Sequence, residues 1–308
     1  MRQLSATTGN YRQLPEEMKA NDYFSCFFIF IATTFNKKKK KIMATRNGKF
    51  LRGVLGTFVY KVVNGKQIVS VRPLKGSTIL SENTKKTNAT FGMAASLGCA
   101  IRKSLITPLS DFPDGDMPKR LMSSLFKSLK NCLIKDTMVY QIEEDTFLNA
   151  EGFEFFSRSR FHALMLNEPK VTRTDGLLTV TVPKSLIVEK FAFPTSAFQC
   201  KIIINVSLFR LWDGLMAKVP DSQEIIFRRS MGYLEEQQLN FAVPNGCLCI
   251  VSVFLKYANY DTDKWVAVNE AKYNPGIIIK AYMTSGTYEG NDDRIWVDMV
   301  KFTRPETE

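Results

Sequence analysis

The sequence predicts an α+β chain: an N-terminal β-hairpin and two helices, followed by a mainly antiparallel, β-sandwich-like C-terminal region. Three observations predict it. Residues 53–72 are apolar, β-branched and aromatic runs placed about one Asn64-Gly65 dipeptide. Residues 81–133 switch to apolar positions three and four apart, and from Phe153 onward short apolar runs recur between turn residues. A period of two marks a half-buried strand, and a period near 3.6 marks an amphipathic helix.

The hairpin joins Gly53–Val63 to Lys66–Arg72. Asn-Gly accepts the positive φ angles of a two-residue turn whose twist matches the strands it connects. Gly48, Gly53 and Gly56 precede it, and Gly48-x-x-x-x-Gly53 has the spacing of a phosphate loop. That loop needs Lys where Val54 stands and a helix where a strand follows, so the glycines read as places for a strand to bend or pack closely. The first helix starts at Ser81 and ends near Ile106, with Phe91, Ala94, Ala95, Gly98, Ile101 and Leu105 as its apolar stripe. Its many small residues predict close packing against another element. Pro108 and the Asp111–Asp116 loop end it. The second helix takes Asp116 as its expected cap, with Leu121, Leu125, Leu129 and Cys132 or Leu133 on one face and Lys119, Lys127 and Lys130 on the other.

The second half is expected to be all-β. Its strands are Leu177–Val182, Gln199–Leu208, Glu224–Arg229, Gln237–Val243, Cys247–Lys256 and Gly276–Met283. Asp175-Gly176, Asp213-Gly214 and Asn245-Gly246 are its turns, and the last is expected to close a hairpin over residues 240–257.

Composition sets limits on function. The chain has 308 residues, 45% hydrophobic and 23% charged, enough apolar content to bury a core of one large or two ordinary domains. A single histidine, His162, removes multi-histidine metal sites, and no Ser or Cys motif marks a nucleophile for it. Two acidic groupings could gather a cation. Asn259, Asp261, Asp263 and Glu270 have calcium-loop spacing, but Lys264 replaces the glycine that its sharp turn needs. Asp111, Asp114 and Asp116 read as turn and cap residues. No catalytic residue, metal or cofactor is assigned, and the chain is not expected to be an enzyme.

Charge divides the chain into three expected regions. Residues 1–42 hold 8 basic and 3 acidic side chains, residues 43–135 hold 16 and 4, and residues 136–308 hold 18 and 23. The first region combines a polar start, the apolar run Tyr23–Phe35 and five lysines, Lys37–Lys41. Acidic residues precede the apolar run and lysines follow it, the reverse of an export signal. At ~1.5 Å per residue the run reaches roughly 20 Å against a hydrocarbon core of about 30 Å, so a membrane span is not expected, and a membrane-surface anchor is a lesser alternative to a leader that is never translated. Five lysines ahead of Ile42 and Met43 match a purine-rich ribosome-binding tract read as protein, which makes residues 1–42 an unstructured leader and Met43 the expected native start. The six cysteines contain no C-x-x-C pair. They read as free thiols in a reducing compartment, the cytoplasm.

Gly48-Lys49, Gly53-Val-Leu-Gly56, Asn64-Gly65-Lys66-Gln67, Arg72-Pro73, Thr84-Lys85-Lys86 and Phe91 before an Ala-rich helix ending Ile101-Arg102 form one ordered series. The series resembles the opening of an uncharacterised protein family of Bacteroidetes-type bacteria. The likeness covers about residues 46–106, and beyond them only the short-strand style and a late Pro-x-Gly-Cys-Leu segment. It implies architecture, bacterial context and a start equivalent to Met43, and it transfers no site.

Two functions are therefore expected to compete. The first is a non-enzymatic structural or protein-interaction protein whose basic region, 43–135, docks on an acidic partner or on another copy. Its contact residues would be Lys49, Arg52, Lys61, Lys66, Arg72, Lys85, Lys86, Arg102 and Lys103. The alternative is a nucleic-acid-associated protein binding phosphates through the same region, with Phe58 and Tyr60 at the contact.

Overall fold

A computed structural model describes residues 44–73, 80–109, 114–134, 137, 139–174, 176–261, 264–268, 270–290 and 292–305. The expected leader, 1–42, and the expected start, Met43, lie outside the described residues. The chain forms two compact units that divide at residues 79/80.

The described residues of the first unit form a four-stranded antiparallel meander: β1 (Thr45–Asn47), β2 (Phe50–Leu55), β3 (Phe58–Val63) and β4 (Lys66–Val71), in that order across the sheet. The expected hairpin is β3–β4. Asn64 and Gly65 hold φ of 49° and 72°, as the two-residue turn requires. The run expected to be one strand from Gly53 to Val63 is broken by a turn at Gly56-Thr57, so two further strands precede the hairpin.

In the second unit, α1 (Glu82–Ser104) is capped by Ser81, whose side chain accepts from the Thr84 N–H at 3.2 Å. α2 (Ile106–Leu109) and α3 (Met117–Asn131) follow. The buried stripe of α1 runs through Met93, Ala94, Leu97, Gly98 and Ile101, with Phe91 exposed and set edge-on to Phe126. Leu121, Leu125 and Leu129 form the buried face of α3, and Leu125 and Leu121 lie over Gly98 of α1. The cap of α3 differs from expectation. Asp116 makes no side-chain cap bond; the Asp114 carboxylate accepts from the N–H groups of Asp116 and Met117 instead.

After α4 (Phe161–Leu164) come β5 (Lys170–Thr174), β6 (Leu177–Val182), β7 (Ser185–Leu186) and α5 (Ile187–Lys190). The remaining strands are β8 (Gln199–Arg210), β9 (Leu215–Ala217), β10 (Asp221–Arg228), β11 (Tyr233–Leu234), β12 (Gln237–Ala242), β13 (Leu248–Asp261), β14 (Lys264–Ala267), β15 (Gly276–Met283) and β16 (Trp296–Asp298). A seven-stranded antiparallel sheet is built on the long pair β8–β13. β15 and β14 pair with β13, β10 and β9 with β8, and β16 with β9. A three-stranded sheet, β12-β6-β5, lies over one face.

The sequence of β13 explains the layering. It is almost continuously apolar, the pattern of a strand covered on both sides. Cys249, Val251, Val253, Leu255 and Tyr257 join Leu178, Val180, Val182 and Phe241 in the core between the sheets. Leu248, Ile250 and Phe254 join Leu97, Ile101, Leu121 and Leu125 in a second core under the helices. Alternation along β15 puts Ile277 in the first core and Ile278 in the second, and the register shift between Val251 and Ser252 keeps Ala281 and Met283 in the second core with Ile278.

Two expectations change here. The helices share a core with the β-rich half, because their apolar faces need the sheet's second face as cover, so the structural boundary falls at 79/80 rather than after residue 135. Asn245-Gly246 is not a hairpin turn. β12 pairs with β6 in the small sheet and β13 with β8 in the large one, so the dipeptide carries the chain across the core from one layer to the other.

Candidate functional site

The boundary at 79/80 sharpens the charge division. Residues 43–79 hold seven basic side chains and no acidic one, whereas residues 80–308 hold 27 of each. Six of the seven, Arg46, Lys49, Arg52, Lys61, Lys66 and Arg72, lie within the described residues 44–73 with no carboxylate beside them in sequence, and such a segment attracts anions.

The structure separates the nine expected contact residues. Five belong to the meander. Lys49 sits in the β1–β2 turn with its ammonium 5.3 Å from the Phe50 ring centre, and Arg52, Lys61 and Lys66 are exposed on β2, β3 and β4. Arg72 is exposed just beyond β4, its N–H donating to the Thr57 carbonyl at 2.6 Å. The other four lie on α1. Lys85 is paired with Glu82 at 2.6 Å in the first turn, and Lys86 is half-buried. Arg102, with its Nε donating to the Gly98 carbonyl at 3.2 Å, and Lys103 occupy the last turn, where cations complement the helix dipole. At ~1.5 Å per residue the two ends of α1 are roughly 25 Å apart, so these four do not make one patch.

Cross-strand register sorts the meander's side chains. Partners across a ladder share a face, and successive residues alternate. Val59, Lys61 and Val63 of β3 therefore share a face with Ser70, Ile68 and Lys66 of β4. Phe58, Tyr60 and Val62 share the opposite face with Val71, Val69 and Gln67. Lysines and aromatics are thus on opposite sides, and the combined contact expected for the nucleic-acid reading is not assembled on one face. No residue of 44–73 is buried, although Leu55, Phe58, Ile68, Val69 and Val71 are exposed apolar side chains.

Sequence reasoning missed a second site, a cleft of about 540 Å³ at one end of the sandwich, lined by Arg173, Val243, Asn245, Thr287, Tyr288 and Arg294 among others. Arg294 holds it together. Its guanidinium donates to Asp221 on β10 at 2.6 Å, to Asp292 at 2.9 Å and to the Ala242 carbonyl on β12 at 2.6 Å, bridging the two sheets. Asp292 also accepts from the Tyr288 hydroxyl at 2.8 Å and from the Trp296 indole at 3.2 Å. The Arg210 guanidinium lies 3.8 Å from the Tyr288 ring centre. Every charge here is already answered by an opposite charge or a donor, which makes the cluster a staple between layers. The only sequence signal was the density of Tyr, Trp, Arg and Asp between 288 and 296, which local periodicity does not interpret.

The weaker chemical candidates resolve similarly. Asn259 lies in β13 and Glu270 follows β14, while Asp263 lies outside the described residues. Asp111 also lies outside them, and Asp114 pairs with Arg120 at 2.9 Å. Among the described residues no three His, Cys, Asp or Glu side chains gather as a metal site needs. His162 is exposed on α4. Burial pushes the Cys247 and Cys249 thiols up to about 12, so neither is a thiolate at neutral pH.

Asp114 and Asp292 make stability depend on acid. Burial pushes both carboxyls up, but hydrogen bonds pull harder. Donors from Ser157, Asp116 and Arg120 hold Asp114 well below the carboxylate range, and Tyr288, Arg294 and Trp296 lower Asp292. A lowered folded pKa means that the unfolded chain binds more protons, so this stabilisation is complete above the ordinary value of ~3.9 and is lost as pH falls toward the folded values. Asp114→Asn is expected to lower the urea midpoint at pH 7 and to flatten its fall below about pH 5. Midpoints measured across that range test it; an acid limb as steep as wild type would overturn the assignment.

No family model, curated protein or solved structure matches this chain.

Proposed function

We propose that this is a non-enzymatic interaction protein in which the 80–305 unit is a scaffold and the basic meander docks on an acidic protein partner. One observation carries the reading: seven basic side chains and no acidic one lie within residues 43–79, next to a charge-balanced remainder. The division of faces favours a protein over a nucleic acid, because Phe58 and Tyr60 are turned away from Lys61 and Lys66 and cannot stack on bases that those lysines hold. The likeness to a Bacteroidetes-type family fits a bacterial scaffold. Among the described residues the five cysteines are free and no helix is long and apolar enough to cross a membrane. The free thiols support a reducing compartment, and we assign the cytoplasm.

Carbodiimide joins lysine amines directly to carboxylates and so tests the contact. Applied to the tagged chain in lysate of the native source, it is expected to yield peptides linking Lys61 or Lys66 to Asp or Glu of one other protein. Those links should survive nuclease and disappear in the Lys61→Gln/Lys66→Gln variant. Retention of nucleic acid with no protein crosslink would move the reading to phosphate binding, and the loss of both would remove the meander as a docking surface.

A further inference from the structure

We infer that a groove between α1 and the end of α3 is a binding site for a small phosphate monoester, held by the ammonium groups of Lys86 and Lys130. The groove encloses about 300 Å³, the small end of the range for small-molecule sites, and lies wholly within the 80–305 unit. Lys86, one of the nine expected contact residues, lines it together with Lys130.

Helical spacing builds the walls. Asn83, Lys86, Thr87 and Thr90 are three and four residues apart and form one stripe of α1, while Phe126 and Lys130 are four apart on α3. The turn after α3 closes the groove with Leu133, Ile134 and Thr137. That turn is fixed by the Ile134 N–H donating to the Val139 carbonyl at 3.0 Å and the Gln141 N–H donating to the Cys132 carbonyl at 2.8 Å. The buried Thr90 hydroxyl is bonded to that of Tyr140 at 2.8 Å, which ties α1 to the same turn.

Charge and donors select the ligand. No carboxylate is among the residues that line the groove, and among the described residues neither Lys86 nor Lys130 makes an ion pair or a hydrogen bond through its ammonium. The one acidic residue of α1, Glu82, is held by Lys85 at 2.6 Å, and α3 has none. The threonine hydrogens are spent within the wall: Thr87 donates to the Asn83 carbonyl at 2.9 Å and Thr137 to the Ile134 carbonyl at 3.0 Å. That leaves two ammonium groups and the Asn83 amide as donors. Lys130 also stands in the last turn of α3, where a cation complements the helix dipole, but this accounts for one lysine and not for the second on the neighbouring helix.

Two like charges with no counter-charge favour a dianion over a monoanion. A phosphate monoester carries about −1.5 to −2 near pH 7, and lysine meets phosphate as a point charge with rotatable donors. Phe126, Leu133 and Ile134 give the groove an apolar wall for the organic body.

Phenyl phosphate titrated into the full chain carrying ¹³C-labelled lysine, with nuclear magnetic resonance of the lysine Cε–H groups, tests this. Saturable shifts are expected at Lys86 and Lys130, each identified by its disappearance in Lys86→Gln or Lys130→Gln, with a Kd on the order of 10⁻⁴ M. Either substitution should weaken binding roughly fivefold or more. Lys103→Gln removes the same charge roughly 25 Å away along α1 and should leave the affinity unchanged. Inorganic phosphate, which lacks the organic body, and benzoate, which carries a single negative charge, should both bind more weakly. Equal affinity for either of them, an equal loss in Lys103→Gln, or shifts confined to the lysines of the meander would overturn the inference. It does not rest on the docking proposed above: Lys61→Gln/Lys66→Gln, which removes that docking, should leave the titration of Lys86 and Lys130 unchanged.

Discussion

Gly276→Ala is expected to destabilise the protein by about 3 kcal/mol, the upper part of the range for overpacking a core. Gly276 opens β15, is the cross-strand partner of Phe254 and accepts the Phe155 N–H at 2.8 Å. A Cβ there would lie 2.4 Å from two carbons of the Phe254 ring and 3.4 Å from Phe155. Neither ring can move aside easily. Both are fully buried, and they stack with centres 5.2 Å apart beneath the helices. The missing side chain is thus what lets the ring pack over the strand, and the next loss would be the register that carries Ile277 and Ile278 into their separate cores. Urea unfolding followed by near-ultraviolet circular dichroism would measure the cost. Phe254→Leu in the same chain should return part of it by making room, so a double mutant no better than the sum of the single changes would refute the steric cause.

Arg294→Ala is expected to cost a similar amount, about 3 kcal/mol, for an electrostatic reason. The change removes the cation between Asp221 and Asp292 and the donor to the Ala242 carbonyl, and it leaves Asp292, 13% exposed in the ion pair, with the neutral donors Tyr288 and Trp296 but without the Arg294 charge. Breaking one partner of a buried pair costs more than the pair itself contributes, because the remaining charge has lost its water and its counter-ion. Asp292→Asn in the same chain should therefore recover stability. Arg294→Lys should recover only part, since one ammonium cannot reproduce the planar fork that reaches two carboxylates and a carbonyl. If Arg294→Ala unfolds at the wild-type midpoint, Arg294 does not join the sheets.

The local elements were legible because their causes are local. Asn64-Gly65 turns the chain through its own φ angles. Leu121, Leu125 and Leu129 share a face because a helix repeats every 3.6 residues. β6 and β15 end where their apolar runs end. What was not legible depends on partners far along the chain. Asp114 caps α3 in place of Asp116 while also receiving Ser157 and Arg120, contacts that no window around the helix contains. The cleft is built from Asp221, Ala242, Tyr288, Asp292 and Arg294, which lie on different strands and loops. The nine basic residues looked continuous in sequence only because α1 follows the meander directly.

By itself, then, the sequence determined the α+β class, the turn residues, the apolar faces and a basic segment free of carboxylates. Each of these follows from periodicity, φ preference or counting, and needs no knowledge of neighbours. Tertiary structure alone decided where the basic segment ends, which layer β12 and β13 each join, and which face of the meander carries charge. Those outcomes follow from cover: an apolar face is stable only against another, so the helices were drawn onto the second face of β13.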